Sequence, residues 1–158
     1  MKISFRKGLG FGLTSGIITT LGLIVGLNFS TSSVKIVIGG IIIIAVADSL
    51  SDALGIHVSE EAESKHSIKE VWESTISTFM SKFFTALTFI IPILLLPLNY
   101  AVIISIIWGL IIIIILSFYI AWHNNAKPAK IIFEHLLIAM IVIIATYYIG
   151  IFVARYFN

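Results

Sequence analysis

Residues 83–122 form an unbroken stretch without a single Asp, Glu, Lys, Arg or His. Crossing a hydrocarbon core takes about 20 mostly apolar residues in helical form, so this stretch is long enough to cross twice. The turn Pro97-Leu98-Asn99 divides it into two arms. Open backbone groups are not tolerated in lipid, which leaves helices or closed barrels as spanning structures, and unbroken apolar runs of this kind read as helices. Residues 8–34 and 36–47 are also free of charge. Overall the 158 residues are 59% hydrophobic and 11% charged, against about 25% charged in ordinary soluble domains. The mean hydropathy is +1.10. These values predict an all-α polytopic membrane protein with no room for a soluble domain.

Five transmembrane helices are expected, over residues 10–29, 34–57, 79–97, 100–122 and 130–156, in a single transmembrane domain. A short cytosolic helical extension over 58–78 joins the second to the third. Pro92 should kink the third. The basic start, Lys2, Arg6 and Lys7, could open a signal peptide, but the apolar stretch behind it is long and no small-residue cleavage site closes it. An uncleaved first span is the expectation.

Lys and Arg gather on the cytoplasmic side. With the N-terminus inside, Lys2, Arg6, Lys7, Lys65, Lys69, Lys82, Lys127 and Lys130 are inside, and Lys35 and Arg155 outside. The expected topology is N-terminus cytoplasmic, C-terminus outside, in a prokaryotic cell membrane. There is no cysteine, which excludes disulfides, thiolate metal sites and cysteine nucleophiles. The net charge of +2 is dispersed, and nothing points to nucleic acid.

In the first helix Gly8, Gly12 and Gly16 are four apart, as are Gly22 and Gly26. Such spacing lets helix backbones approach closely in lipid. It serves packing within the chain, a homodimer seam, or a path-lining helix with Ser15 and Thr19 as weak oxygen ligands. In the second helix Asp48 follows the uncharged residues 36–47. A carboxylate at mid-membrane costs about 2.5–3.5 kcal/mol on insertion scales, which calls for an ion, a proton or a partner charge. Asp52 lies one turn on, with Cβ atoms about 6 Å apart. At about 100° per residue, Glu63, His66, Glu70 and Glu73 fall on the same stripe if the helix persists. Carboxylate oxygen and imidazole suit divalent cations. Asp48, Asp52, Glu60, Glu63 and His66 are therefore the candidate metal ligands, and Ser15, Thr19 and Ser51 the candidate path-lining residues. Blander uses stay open: Asp52 as an interfacial cap, Asp48 bonded to a neighbouring hydroxyl, and the Glu-rich segment as a solvated face. His57 points away from Asp48 and reads as structural.

Gly12-Leu13-Thr14-Ser15-Gly16, continuing to Gly22 and Gly26, resembles the first helix of the vacuolar iron transporter family, which includes the plant nodulin-like membrane proteins. Residues 47–55, followed by Ser59-Glu60-Glu61-Ala62-Glu63, resemble that family's second helix and its acidic extension. The resemblance covers about the first 65 residues. It implies a homodimer through the glycine-rich first helix, with an ion path between the first two helices of each copy. It also implies export of Fe²⁺ and related divalent metals from the cytosol in exchange for protons. The chain departs from the family pattern in four places. Ser15 stands where the family has Asp, Asp52 where it has Met, Ile44 where it has Glu, and Asp48 where a small residue is usual. An oxygen-rich site without methionine favours harder ions such as Mn²⁺. The expected function is a divalent metal cation (Fe²⁺/Mn²⁺) transporter working by proton exchange, with no permanently bound cofactor. The alternative is a non-transporting membrane scaffold or accessory subunit. An enzyme is not expected: both aspartates lie on one helix, whereas an intramembrane aspartyl protease needs carboxylates from two facing helices.

Overall fold

The computed structural model describes residues 3–63 and 65–157 and holds helices and short turns, with no strand among the described residues. Lys2, counted above among the basic residues, lies outside them. The helices are α1 (Ile3–Thr31), α2 (Val34–Ala62), α3 (Ile68–Thr88), α4 (Ile90–Leu95), α5 (Leu98–His123) and α6 (Pro128–Tyr156). Five helical segments are long and apolar enough to cross a membrane, α3 and α4 together forming one of them, Ile68–Leu95. This is the build of an integral membrane protein.

The turns explain the boundaries. Ser32 and Asn125 adopt positive φ, 51° and 50°, and reverse the chain after α1 and α5. Ser33 caps α2 by accepting from the Ile36 N–H at 3.4 Å. Ser67 and Glu70 form a reciprocal capping box at the start of α3. Pro128 occupies the first turn of α6, where its missing N–H costs nothing. The break expected at Pro92 falls at Phe89. Pro92 cannot donate to the carbonyl of Thr88 and crowds it, and the Phe89 N–H bonds Ala86 O instead, at 3.2 Å.

The helix from 34 ends at Ala62, and the next helix begins only at Ile68. The stripe that would carry Asp48's face on to Glu70 and Glu73 therefore stops with α2. From Ile68 α3 is one continuous helix. Its hydroxyl-rich first half looks like a solvated linker in sequence, yet Ser74, Ser77, Thr78 and Ser81 are buried.

They are buried against α1, which sits at the centre and touches α2, α3, α5 and α6. Gly8 faces Ser74 and Ser77, Gly12 faces Thr78 and Ser81, and Gly16 faces Lys82. Both series advance by one turn together, so α1 and α3 run parallel with matched register. A Cβ on Gly8 would lie 2.2 Å from Ser74 O, and one on Gly12 would lie 2.5 Å from Thr78 O. Only glycine permits that approach, which also lets the Thr78 hydroxyl donate to Gly8 O at 3.3 Å. Gly22 and Gly26 face Val142 and Thr146 of α6. Gly8, Gly12 and Gly16 are thus packed against α3 and Gly22 and Gly26 against α6, while Gly10 faces open space. An apolar core of Ile17, Leu21, Ile24, Val37, Ile41, Phe89 and Ile113 completes the bundle.

Candidate functional site

Lys82 is the residue around which the site is built. It is only 2% exposed, because Gly16 admits the α3 backbone so closely that a Cβ there would lie 3.3 Å from Lys82 Cα. From that position its side chain reaches α2. Lys82 Nζ lies 2.5 Å from Asp52 Oδ2 and 2.6 Å from Asp48 Oδ2. It also donates to Ser15 Oγ at 2.9 Å, and the Ser15 hydroxyl donates to Asp52 Oδ2 at 2.6 Å. The contact with Asp52 is a directed hydrogen bond. That with Asp48 is an ion pair without hydrogen-bond alignment, and Asp48 Oδ2 is a buried atom lacking such a partner. Three helices therefore supply one cluster: Ser15 from α1, Asp48 and Asp52 from α2, and Lys82 from α3. With all three ionisable groups charged, its formal sum is one negative charge. The aspartate side chains keep 31% and 22% of their exposure, so the carboxylates, and not the lysine, lie at the surface of the helix bundle.

Glu60, Glu63 and His66 belong to a second cluster. Glu60 lies two turns beyond Asp52, about 12 Å along the helix. Its side chain is 1% exposed and pairs with Lys7 of α1. His66 Nε2 lies 3.4 Å from Glu60 Oε2 and 3.2 Å from Glu63 Oε2. Lys7 Nζ is 3.8 Å from Glu63 Oε1. The hydrogen bond with His66, and then the charge of Lys7, hold the Glu63 carboxyl below its ordinary range. His57 bonds Thr75 Oγ1 through Nδ1 at 3.0 Å and packs edge-on against Trp72.

The five expected ligands therefore divide into two sets. Among the described residues no three His, Cys, Asp or Glu side chains stand close enough together to hold a metal ion. Of the expected path-lining residues, Ser15 joins the inner cluster. The Thr19 hydroxyl is spent on Ser15 O at 2.9 Å, and Ser51 is exposed on the open face of α2. Glu134 points outward beside Lys130 at 3.8 Å.

Sequence reasoning missed Lys82 by reading it as an interface charge ahead of an apolar span. The signal that finds it is register. Ser74, Thr78 and Lys82 are four apart, as are Gly8, Gly12 and Gly16. A lysine on a small-residue stripe facing glycines is headed inward. No protein-family model matches this chain, and no curated protein matches it in sequence.

Proposed function

We propose that the chain is a membrane cation carrier that exports a divalent metal, Fe²⁺ or Mn²⁺, from the cytosol in exchange for protons. The observation that carries this reading is the pair Asp48 and Asp52, one turn apart on an apolar helix, partly accessible, and gathered with Ser15 and Lys82 into one cluster. Ionisable groups at such places are costly and mark ion or proton pathways. Oxygen donors without sulfur suit hard divalent ions. The topology proposed is N-terminus cytoplasmic. With Lys82 taken out of the interface count, seven basic residues still fall inside (Lys2, Arg6, Lys7, Lys65, Lys69, Lys127, Lys130) against Lys35 and Arg155 outside. If the carrier is a homodimer, its second copy meets α2. Ala47, Ser51, Gly55 and Ser59 form an exposed small-residue stripe there beside the aspartates, while five of the six glycines of α1 are already packed against the chain's own helices.

The test is metal flux into proteoliposomes with and without a pH gradient. The wild type should move Mn²⁺ or Fe²⁺ faster when protons can move the other way. Asp48→Asn and Asp52→Asn should reduce flux to that of empty vesicles. Wild-type flux no greater than empty vesicles would remove the carrier reading. One observation favours a second reading, a non-transporting subunit: Lys82 already faces both carboxylates, as it would in a static structural salt bridge. In that case neither metal nor pH changes the protein's behaviour.

A further inference from the structure

We propose that Lys82 is a tethered competitor that sets the valence of the cation the carboxylate pair accepts, excluding monovalent ions and yielding to divalent ones. This rests on the cation-carrier reading. The Lys82 ammonium is held by Asp48 Oδ2, Asp52 Oδ2 and Ser15 Oγ at 2.6, 2.5 and 2.9 Å. Two carboxylates and a hydroxyl are the donors a hard cation takes, so the ammonium stands where a bound ion would stand.

Burial makes the arrangement one-sided. Lys82 is 2% exposed, whereas its two carboxylate partners keep 31% and 22% of their side-chain exposure. An arriving ion therefore meets the carboxylates first and the ammonium behind them. The root of the lysine is clamped, with Lys82 Cα, Cγ and O all within 3.3 Å of where a Cβ on Gly16 would stand. Beyond Cγ the side chain is a flexible stem carrying a compact charge, and its head can withdraw while its backbone stays.

Charge then decides the contest. Attraction to the carboxylates scales with the charge of the competitor. A monovalent ion offers the same charge as the ammonium but none of the advantage of being tethered in place. A divalent ion offers twice the charge to the same oxygens and can displace the lysine. Removing the tethered charge should tighten divalent binding and admit monovalent ions.

The experiment uses the full chain in detergent, with Mn²⁺ binding read by electron paramagnetic resonance and Na⁺ added as competitor. Wild type should bind Mn²⁺ and ignore Na⁺. Lys82→Gln should bind Mn²⁺ at least about tenfold more tightly, the loss of a nearby like charge in a partly buried site being worth that much, and Na⁺ should now displace Mn²⁺. Lys82→Arg, which keeps the charge, should remain indifferent to Na⁺. A second measurement needs no variant: mass-spectrometric labelling of Lys82 by an amine acylating reagent should rise when Mn²⁺ is added and stay unchanged with Na⁺. Mn²⁺ binding with equal affinity and equal indifference to Na⁺ in wild type and Lys82→Gln would overturn the proposal and leave the carrier reading standing. So would Mn²⁺ binding that leaves Lys82 labelling unchanged. Absence of Mn²⁺ binding in both proteins would instead bring down the carrier reading, and this proposal with it.

Discussion

The two ionic clusters of this protein are built on opposite plans. In the inner one the buried partner is a cation, Lys82, and the accessible partners are the carboxylates of Asp48 and Asp52. In the other the buried partner is an anion, Glu60, at 1% exposure, and the accessible partners are of both signs, Lys7 at 43% and Glu63 at 49%. The inner cluster presents negative charge outward. The outer one presents a lysine, with His66 and Glu63 beside it. A visiting cation meets only carboxylates at the first, and a lysine as well as the Glu63 carboxylate at the second. The difference lies in which partner the packing hides, since each cluster contains two acidic side chains and one lysine.

The comparison can be broken most sharply at Lys82. Lys82→Met should lower stability by about 3–5 kcal/mol, the usual cost of removing one partner from a buried ion pair. Thermal unfolding in detergent measures this, and part of the loss should return on adding Mn²⁺, which supplies the missing charge. An unchanged midpoint would mean that the aspartates do not need the lysine. Next is the seam that places Lys82. Gly12→Ala puts a Cβ 2.1 Å from Ser81 Oγ and 2.5 Å from a backbone oxygen, and overpacking of this kind costs about 1–3 kcal/mol. Gly10→Ala meets nothing within 4 Å and should leave the midpoint where it is. Equal effects of the two substitutions would argue against the α1–α3 register.

Lys7→Ala should have a smaller effect than Lys82→Met, about 1–3 kcal/mol, because it leaves the Glu60 carboxylate buried but still 3.4 Å from His66. A loss as large as that at Lys82 would erase the contrast between the clusters. The smallest effect concerns pH. The Glu63 carboxyl is held below its unfolded value of 4.5 by His66 and Lys7. Its contribution to stability is present above pH 4.5 and is lost as pH falls through the folded value. The midpoint of Glu63→Gln should therefore be less sensitive than wild type to acid below that pH. Equal sensitivity would show that Glu63 is not among the responsible groups.

Much of this architecture is legible in sequence. Hydropathy alone marks the apolar segments, because lipid admits few alternatives to a helix. The hairpin over 83–122 has no charges to misread, and Pro92 announces its own break. The i,i+4 spacing of Asp48 and Asp52 places them together on any helix. The chain after Ala62 was less legible. Ser67 and Glu70 carry a helix-start signal, but the hydroxyls of Ser74, Ser77, Thr78 and Ser81 suggest solvent. Each of these hydroxyls bonds its own helix backbone, and so they enter the interior without unsatisfied polar groups. Local polarity misleads when small hydroxyl side chains can satisfy themselves in this way.

The sequence by itself determined that this chain is helical, apolar enough to span a membrane, and marked by two acids on one helix face. Length, charge-free runs and helical periodicity are local properties, and solvent chemistry converts them directly into structure. Only the tertiary structure decided that Lys82 points between those acids, that Gly8, Gly12, Gly16, Gly22 and Gly26 of α1 are taken up by α3 and α6, and that Glu60, Glu63 and His66 stand apart from Asp48 and Asp52. Those outcomes depend on how helices distant in sequence align against one another. A one-turn slip of α3 along α1 would carry the Lys82 backbone about 5.4 Å along the helix axis, and the partnership that defines the site would not form.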